Sequence, residues 1–283
     1  MRKPGYNLAL AGLLLCFIVV ILGAYTRLVH AGLGCPDWPG CYGFLTVPQS
    51  DHALETAQLR FPDDPVEAFK AWAEMIHRYA AGTLGLLILG LAVIGIRQRR
   101  DPGYPTGLCV GLLALVVCQA LFGMWTVTLK LWPQVVTAHL LGGFATLSLL
   151  LLLVLRLSGR LPALHPTRSL TRLRLLARFA LAVVILQIML GGWTSTNYAA
   201  EGPGRTAIHF THRLGALLTT FVVLLLGWQL WRARLHGLAL LMCLALTAQV
   251  GLGITNVLAA LPLAVAVAHN GMAALLLLCT LAV

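Results

Sequence analysis

Eight apolar runs, at roughly 7–29, 71–96, 105–127, 133–155, 175–194, 206–231, 235–257 and 262–283, leave this chain little choice of fold. Each is long enough to cross a bilayer as an α-helix, which needs about 20 apolar residues. Composition agrees: 59% of the 283 residues are hydrophobic and 10% are charged, against about 45–50% and about 25% in soluble domains. Such a chain has too few charges to solvate a globular surface and more apolar residues than one core can bury. That excludes a soluble enzyme, a disordered protein and a nucleic-acid binder. The fold class is an all-α polytopic membrane protein with eight transmembrane helices.

The net charge of +11 is a topology signal, because the charges are sorted. Arg2, Lys3, Arg97, Arg99, Arg100, Arg156, Arg160, Arg168, Arg172, Arg174, Arg178, Arg232 and Arg234 fall on one side of the spans. Arg60, Lys70, Lys130 and Arg205 fall on the other, with Asp37, Asp51, Glu55, Asp63, Asp64, Glu67 and Glu201. The positive-inside rule then makes both termini cytoplasmic and turns the loop 30–70 outward. The first run exceeds a signal-peptide core and ends in no clean cleavage site, so it is expected to stay as a span. There is no Arg- and Ser-rich amphipathic leader, which points to a bacterial plasma (inner) membrane.

The chain also repeats itself. Leu22-Gly23-Ala24-Tyr25-Thr26 resembles Leu190-Gly191-Gly192-Trp193-Thr194, and His77-Arg78 resembles His212-Arg213. Gln119 and Gln249 each stand 20 residues before a histidine, His139 and His269, and prolines 133 and 262 open the runs that carry those histidines. The chain therefore reads as two four-helix units, 1–156 and 157–283. An even number of spans per unit makes this a parallel repeat, with halves related by an axis along the membrane normal.

Ionisable side chains at membrane depth are costly and mark function. Of nine histidines, His30, His52, His165 and His236 lie in loops or at interfaces and His209 at the mouth of the sixth span, whereas His77, His139, His212 and His269 fall at similar depth, two per unit. Hydrogen-bonded packing is the plain alternative. Two imidazoles on facing helices suit a flat macrocycle, as in bis-histidine haem ligation inside a four-helix bundle. Zinc asks for three or four converging ligands. Gly82, Gly85, Gly142, Gly143 and Gly215, near the ligand positions, would leave room for the macrocycle or serve ordinary helix packing. Arg78 and Arg213 would meet haem propionates or snorkel to headgroups. Cys35 and Cys41, outside, should form a disulfide, either a structural staple or, between Pro36 and Pro39, a strained redox-active couple. Glu74 precedes His77 by three residues and so shares its helix face. A carboxylate there would stabilise positive charge on a carbon being oxidised at the macrocycle's rim or take a proton from an attacking water. The competing reading is an acid in the first helical turn, paired with Arg78 at i+4.

Gly23-Ala24-Tyr25-Thr26-Arg27, then Gly32 to Gly43 with Cys35-Pro36-Asp37-Trp38-Pro39-Gly40-Cys41, resembles the first signature of the haem A synthase family. Glu74-Met75-Ile76-His77-Arg78 resembles its second, and His139, His212 and His269 fall at its remaining haem ligands. The resemblance implies an eight-helix enzyme that oxidises the C8 methyl of haem O to a formyl group through an alcohol. It implies haem b as cofactor in the C-terminal half, on His212 and His269 with Arg213. It implies the substrate in the N-terminal half, on His77 and His139 with Arg78, where Glu74, Cys35 and Cys41 are the candidate catalytic residues. Haem A would pass to terminal oxidases. Partners implied are haem O, a haem O synthase handing it over, and membrane lipid; a homo-oligomer is compatible, and nucleic acid is not expected. Some members carry a second cysteine pair between the fifth and sixth spans, which this chain lacks. Two other functions fit a bis-histidine repeat: a di-haem membrane cytochrome carrying electrons from quinol, and a haem transporter or chaperone. The first would have no use for Glu74, whose counterpart in the second half is His209.

Overall fold

A computed structural model describes residues 2–159, 168–196 and 203–283, with the side chains of 168–169 and 203–205 excepted. Arg160, His165 and Glu201, and the side chains of Arg168 and Arg205, lie outside the described residues. Nine helices occur among those described: α1 (Tyr6–Leu28), α2 (Asp51–Arg60), α3 (Ala68–Arg97), α4 (Thr106–Thr128), α5 (Pro133–Leu157), α6 (Arg168–Thr196), α7 (Pro203–Arg232), α8 (His236–Leu258) and α9 (Leu263–Leu281). All but α2 are long and apolar enough to cross a membrane. Their outward faces are apolar as well: Leu86 and Leu217 are each 70% exposed, which suits lipid and not water.

Three helices start well before the sequence reading places them. α3, α6 and α7 begin before their apolar runs, because hydropathy marks the part of a helix that lipid must cover and not where its hydrogen bonds stop. One consequence concerns Glu74. With α3 starting at Ala68, Glu74 sits in the second turn, so favourable interaction with a helix start does not explain it. α2 was not foreseen within the loop 30–70. It is a polar helix whose Ser50 cap accepts from the Ala53 N–H at 3.3 Å, with Asp51 in its first turn and Arg60 in its last.

The chain forms two compact units, Met1–Leu161 and Pro162–Val283. In the first, α1, α3, α4 and α5 pack in a ring in that order, so α3 and α5 are diagonal partners, as are α1 and α4. In the second, α6, α7, α8 and α9 do the same, leaving α7 diagonal to α9. Leu147, Leu150, Leu153 and Leu157 of α5, Ile88 and Leu91 of α3 and Leu112 of α4 fill the end of the first bundle remote from its histidines. Leu226 and Leu230 of α7 with Met242 of α8 do so in the second. Toward the histidines the packing opens. No residue of α3 between Met75 and Leu84, of α4 between Leu112 and Val127, or of α7 between 206 and 218 is buried.

Candidate functional site

The four histidines stand at matching registers. His77 is the tenth residue of α3 and His212 the tenth of α7, while His139 and His269 are each the seventh residue of α5 and α9. Since α3 and α5 are diagonal, His77 and His139 stand on opposite helices of the first bundle. His212 and His269 stand likewise in the second. Each ring backs onto a glycine of an adjacent helix. A Cβ on Gly23 of α1 would meet His77 Cε1 at 3.1 Å, and one on Gly191 of α6 would meet His212 Cε1 at 3.1 Å. Gly123 of α4 and Gly253 of α8 stand in the same way against His139 and His269, at 3.4 and 3.1 Å. These are the glycines that seat the rings. Of those anticipated, Gly82 and Gly85 have nothing within 4 Å of a built Cβ, and Gly142 and Gly215 accommodate glutamine side chains.

The first unit carries a cap outside its ring of helices. Cys35 and Cys41 form a disulfide, both fully buried, in a small core with Tyr42, Val47, Ala57, Ala71 and Met75. Asp37 folds the loop on itself, accepting from the Tyr42 and Gly43 N–H groups at 2.6 and 2.7 Å. Tyr42 O–H donates to the Pro65 carbonyl at 3.1 Å. Burial, and then the carboxylates of Asp64, Glu67, Asp37 and Glu74, push the Tyr42 phenol above its ordinary value.

This cap is fastened to α3 at the site. Glu74, 5% exposed, accepts from the Cys35 N–H at 3.0 Å through Oε2 and pairs through Oε1 with Arg78 Nη2. Arg78 Nη1 donates to the carbonyls of Asp37 at 2.9 Å and Gly40 at 2.5 Å. Glu74, Arg78, Cys35 and Cys41 are thus one cluster, a turn from His77. Arg78 is turned to the loop, a use that its sequence position did not suggest. Arg213, its counterpart, is exposed. Two site residues went unforeseen. Asp37 is legible as an Asx-type loop closer beside Pro36; Gln187 of α6, which contacts His212, carried no sequence signal.

The donor set suits a haem. Two imidazoles approach from diagonal helices, and a glycine behind each ring gives it room that a Cβ would fill. Among the described residues, no three His, Cys, Asp or Glu side chains converge as a metal cage requires.

The class defined so far is a polytopic α-helical membrane protein with two four-helix units, each presenting a facing histidine pair. Within that class the chain belongs to the cytochrome oxidase assembly protein family, whose family model matches residues 6–201 and 204–281. It is 46% identical to a heme A synthase of Shewanella oneidensis, over 94% of this chain and 91% of that protein. It is 29% identical to a heme A synthase of Mesorhizobium japonicum, over 94% and 85%. It is 30% identical to one of Rhodospirillum centenum, over 90% and 80%.

Proposed function

We propose that this membrane oxidoreductase converts haem O to haem A, oxidising the C8 methyl to a formyl group through an alcohol. The first unit takes haem O between His77 and His139. The second retains haem b between His212 and His269, where it supplies a one-electron redox centre. The observation that carries this division is the buried Glu74, joined to Arg78 and to the Cys35 N–H beside His77, where the second unit has His209. Two equivalent electron-transfer sites would need no such difference, which disfavours the di-haem carrier.

The residues divide the work. His77 and His139 fix the substrate's plane and hence where its rim carbons lie relative to α3. Arg78 and the Cys35 N–H hold the Glu74 carboxylate, and the cap keeps water from it. Each oxidation removes two electrons, to an external electron acceptor, and a proton from the carbon; a fixed negative charge in a water-poor site stabilises the positive charge that develops there before water adds. The same oxygens can accept the proton of an attacking water. The Cys35–Cys41 disulfide keeps the Cys35 N–H aimed at Glu74. The sorted basic residues support cytoplasmic termini and an outward-facing cap in a bacterial inner membrane. Haem O then arrives from a haem O synthase in the same membrane, and the chain acts alone or as a homo-oligomer among lipid.

The test is Glu74→Gln. The variant should keep the low-spin b-type spectrum and bind haem O, yet make little haem A or stop at the alcohol, as read by chromatography of extracted haem. Near-normal haem A from this variant would overturn the assignment.

A further inference from the structure

The two units differ at one position that the chemistry above does not use. Gln187 of α6 reaches α7, where its Nε2 donates to the His212 carbonyl at 2.9 Å and stands 3.0 Å from His212 Nδ1. Gly215 makes this possible, since a Cβ there would collide with Gln187 Oε1. Counted from the shared Leu22-Gly23 and Leu190-Gly191 pairs, the first unit has Val19 in place of Gln187. Counted from the shared His-Arg pairs, it has Ala80 in place of Gly215. Both partners have changed together, from an amide with a slot to a branched alkyl group with a methyl. Beside His77 the polar neighbour is the backbone of Val19, and no side chain reaches the ring's buried Nδ1.

A second difference runs the same way. Gln249 Nε2 lies 3.3 Å from the His269 ring nitrogen Nε2. Its counterpart Gln119 lies instead against Gly142, where a Cβ would collide with the amide. The second unit has Met272 at the position of Gly142, which closes that resting place. Each facing ring of the second unit therefore has a glutamine amide beside it, on Nδ1 of His212 but on Nε2 of His269, so only Gln187 leaves Nε2 free for iron. Among the described residues, no such side-chain contact holds His77 or His139.

We infer that Gln187 is a positioning residue that makes the second site retain its haem, and that Val19 at the same place makes the first site an exchanging one. This rests on the two-site reading above. An imidazole bound to iron keeps its orientation through the bond made by its other nitrogen. As placed, Gln187 Nε2 donates to an unprotonated Nδ1; a ring bound to iron through Nε2 carries Nδ1–H, and the amide holds that ring by turning so that Oε1 accepts, giving up its bond to the His212 carbonyl. A cofactor site gains from a ring held this way. A substrate site must release its product, and a ring without that support gives up affinity in return for turnover.

The experiment uses purified holoprotein and measures haem b transfer to excess apomyoglobin, with low-spin EPR of the same samples. Gln187→Met keeps length and volume but has no amide. It should speed haem b loss about 10–100-fold, the usual effect of removing such a partner, and shift the low-spin g values. The reciprocal variant, Val19→Gln with Ala80→Gly, should slow haem loss from the first unit and raise the haem O and haem A that copurify. Wild-type exchange and EPR in Gln187→Met would overturn the inference. Should that protein not fold, the reciprocal variant decides alone, and unchanged first-unit exchange refutes the idea. His269→Ala separates the two levels of argument. If it leaves the low-spin b signal intact, the two-site reading fails; if it removes the signal while Gln187→Met behaves as wild type, only the role of Gln187 fails.

Discussion

Adding one methyl group at Gly23 should damage haem A formation without replacing any ligand. A Cβ at this position lies 3.1 Å from His77 Cε1 and 3.6 Å from both ring nitrogens. Ordinary carbon contacts fall at about 3.5–4.0 Å, so the ring must retreat by several tenths of an ångström or α1 must move. Alanine in a helix interior is favoured over glycine by about 0.8–1.0 kcal/mol, while overpacking costs about 1–3 kcal/mol. The net is about 0–2 kcal/mol of destabilisation, so the fold should persist while His77 shifts. A misplacement of 1 Å can cost about 10²-fold in rate, and a shift of this smaller size should cost about tenfold. The assay is the ratio of haem A to haem O extracted from membranes, beside the low-spin b spectrum. Gly23→Ala should lower the ratio and spare the spectrum; Gly191→Ala, which crowds His212 at the same 3.1 Å, should weaken the spectrum. A normal ratio from Gly23→Ala, or loss of its b signal, would refute the reasoning.

Arg78→Met should leave Glu74 buried without its cation, destabilising the cap by about 3–5 kcal/mol; a cycle with Glu74→Gln, scored by thermal loss of tertiary structure, should recover most of that. Because the folded pKa of Tyr42 is raised, its contribution is fully present below pH of about 10 and is lost as pH climbs through the folded value. Alkaline opening of the cap, followed by protease sensitivity of the loop, should be less steep in Tyr42→Phe, and an unchanged profile would count against it. A cysteine engineered near Asp63 should label from outside intact cells and one near Arg168 should not; the reverse pattern would invert the topology.

How much of this was legible in the sequence follows from what each feature depends on. The eight spans could be read because lipid imposes length and composition locally, residue by residue. The facing histidines could be read because the repeat places each at the same register twice. α2 escaped because a polar helix has no apolar signature, although Ser50 before Asp51 was a cap signal. The loop-fastening role of Arg78 escaped because its acceptors are backbone carbonyls of Asp37 and Gly40, which no side-chain pattern encodes. Gln187 escaped for the opposite reason: matching the halves draws attention to identities, and its meaning lies in a mismatch with Val19. The seating glycines were visible in the repeated Leu-Gly and Gln-containing motifs, but only the packing of adjacent helices shows that they back the histidines.

The most direct measurement is to supply haem O to membranes that contain this chain and no other haem A-forming activity, and to separate the extracted haems by chromatography. Haem A should appear with the wild-type chain. His77→Ala and His139→Ala should leave haem O unconverted while the low-spin b signal of the second unit persists. Haem O recovered unchanged with the wild-type chain, or haem A formed equally well without His77 and His139, would contradict the account.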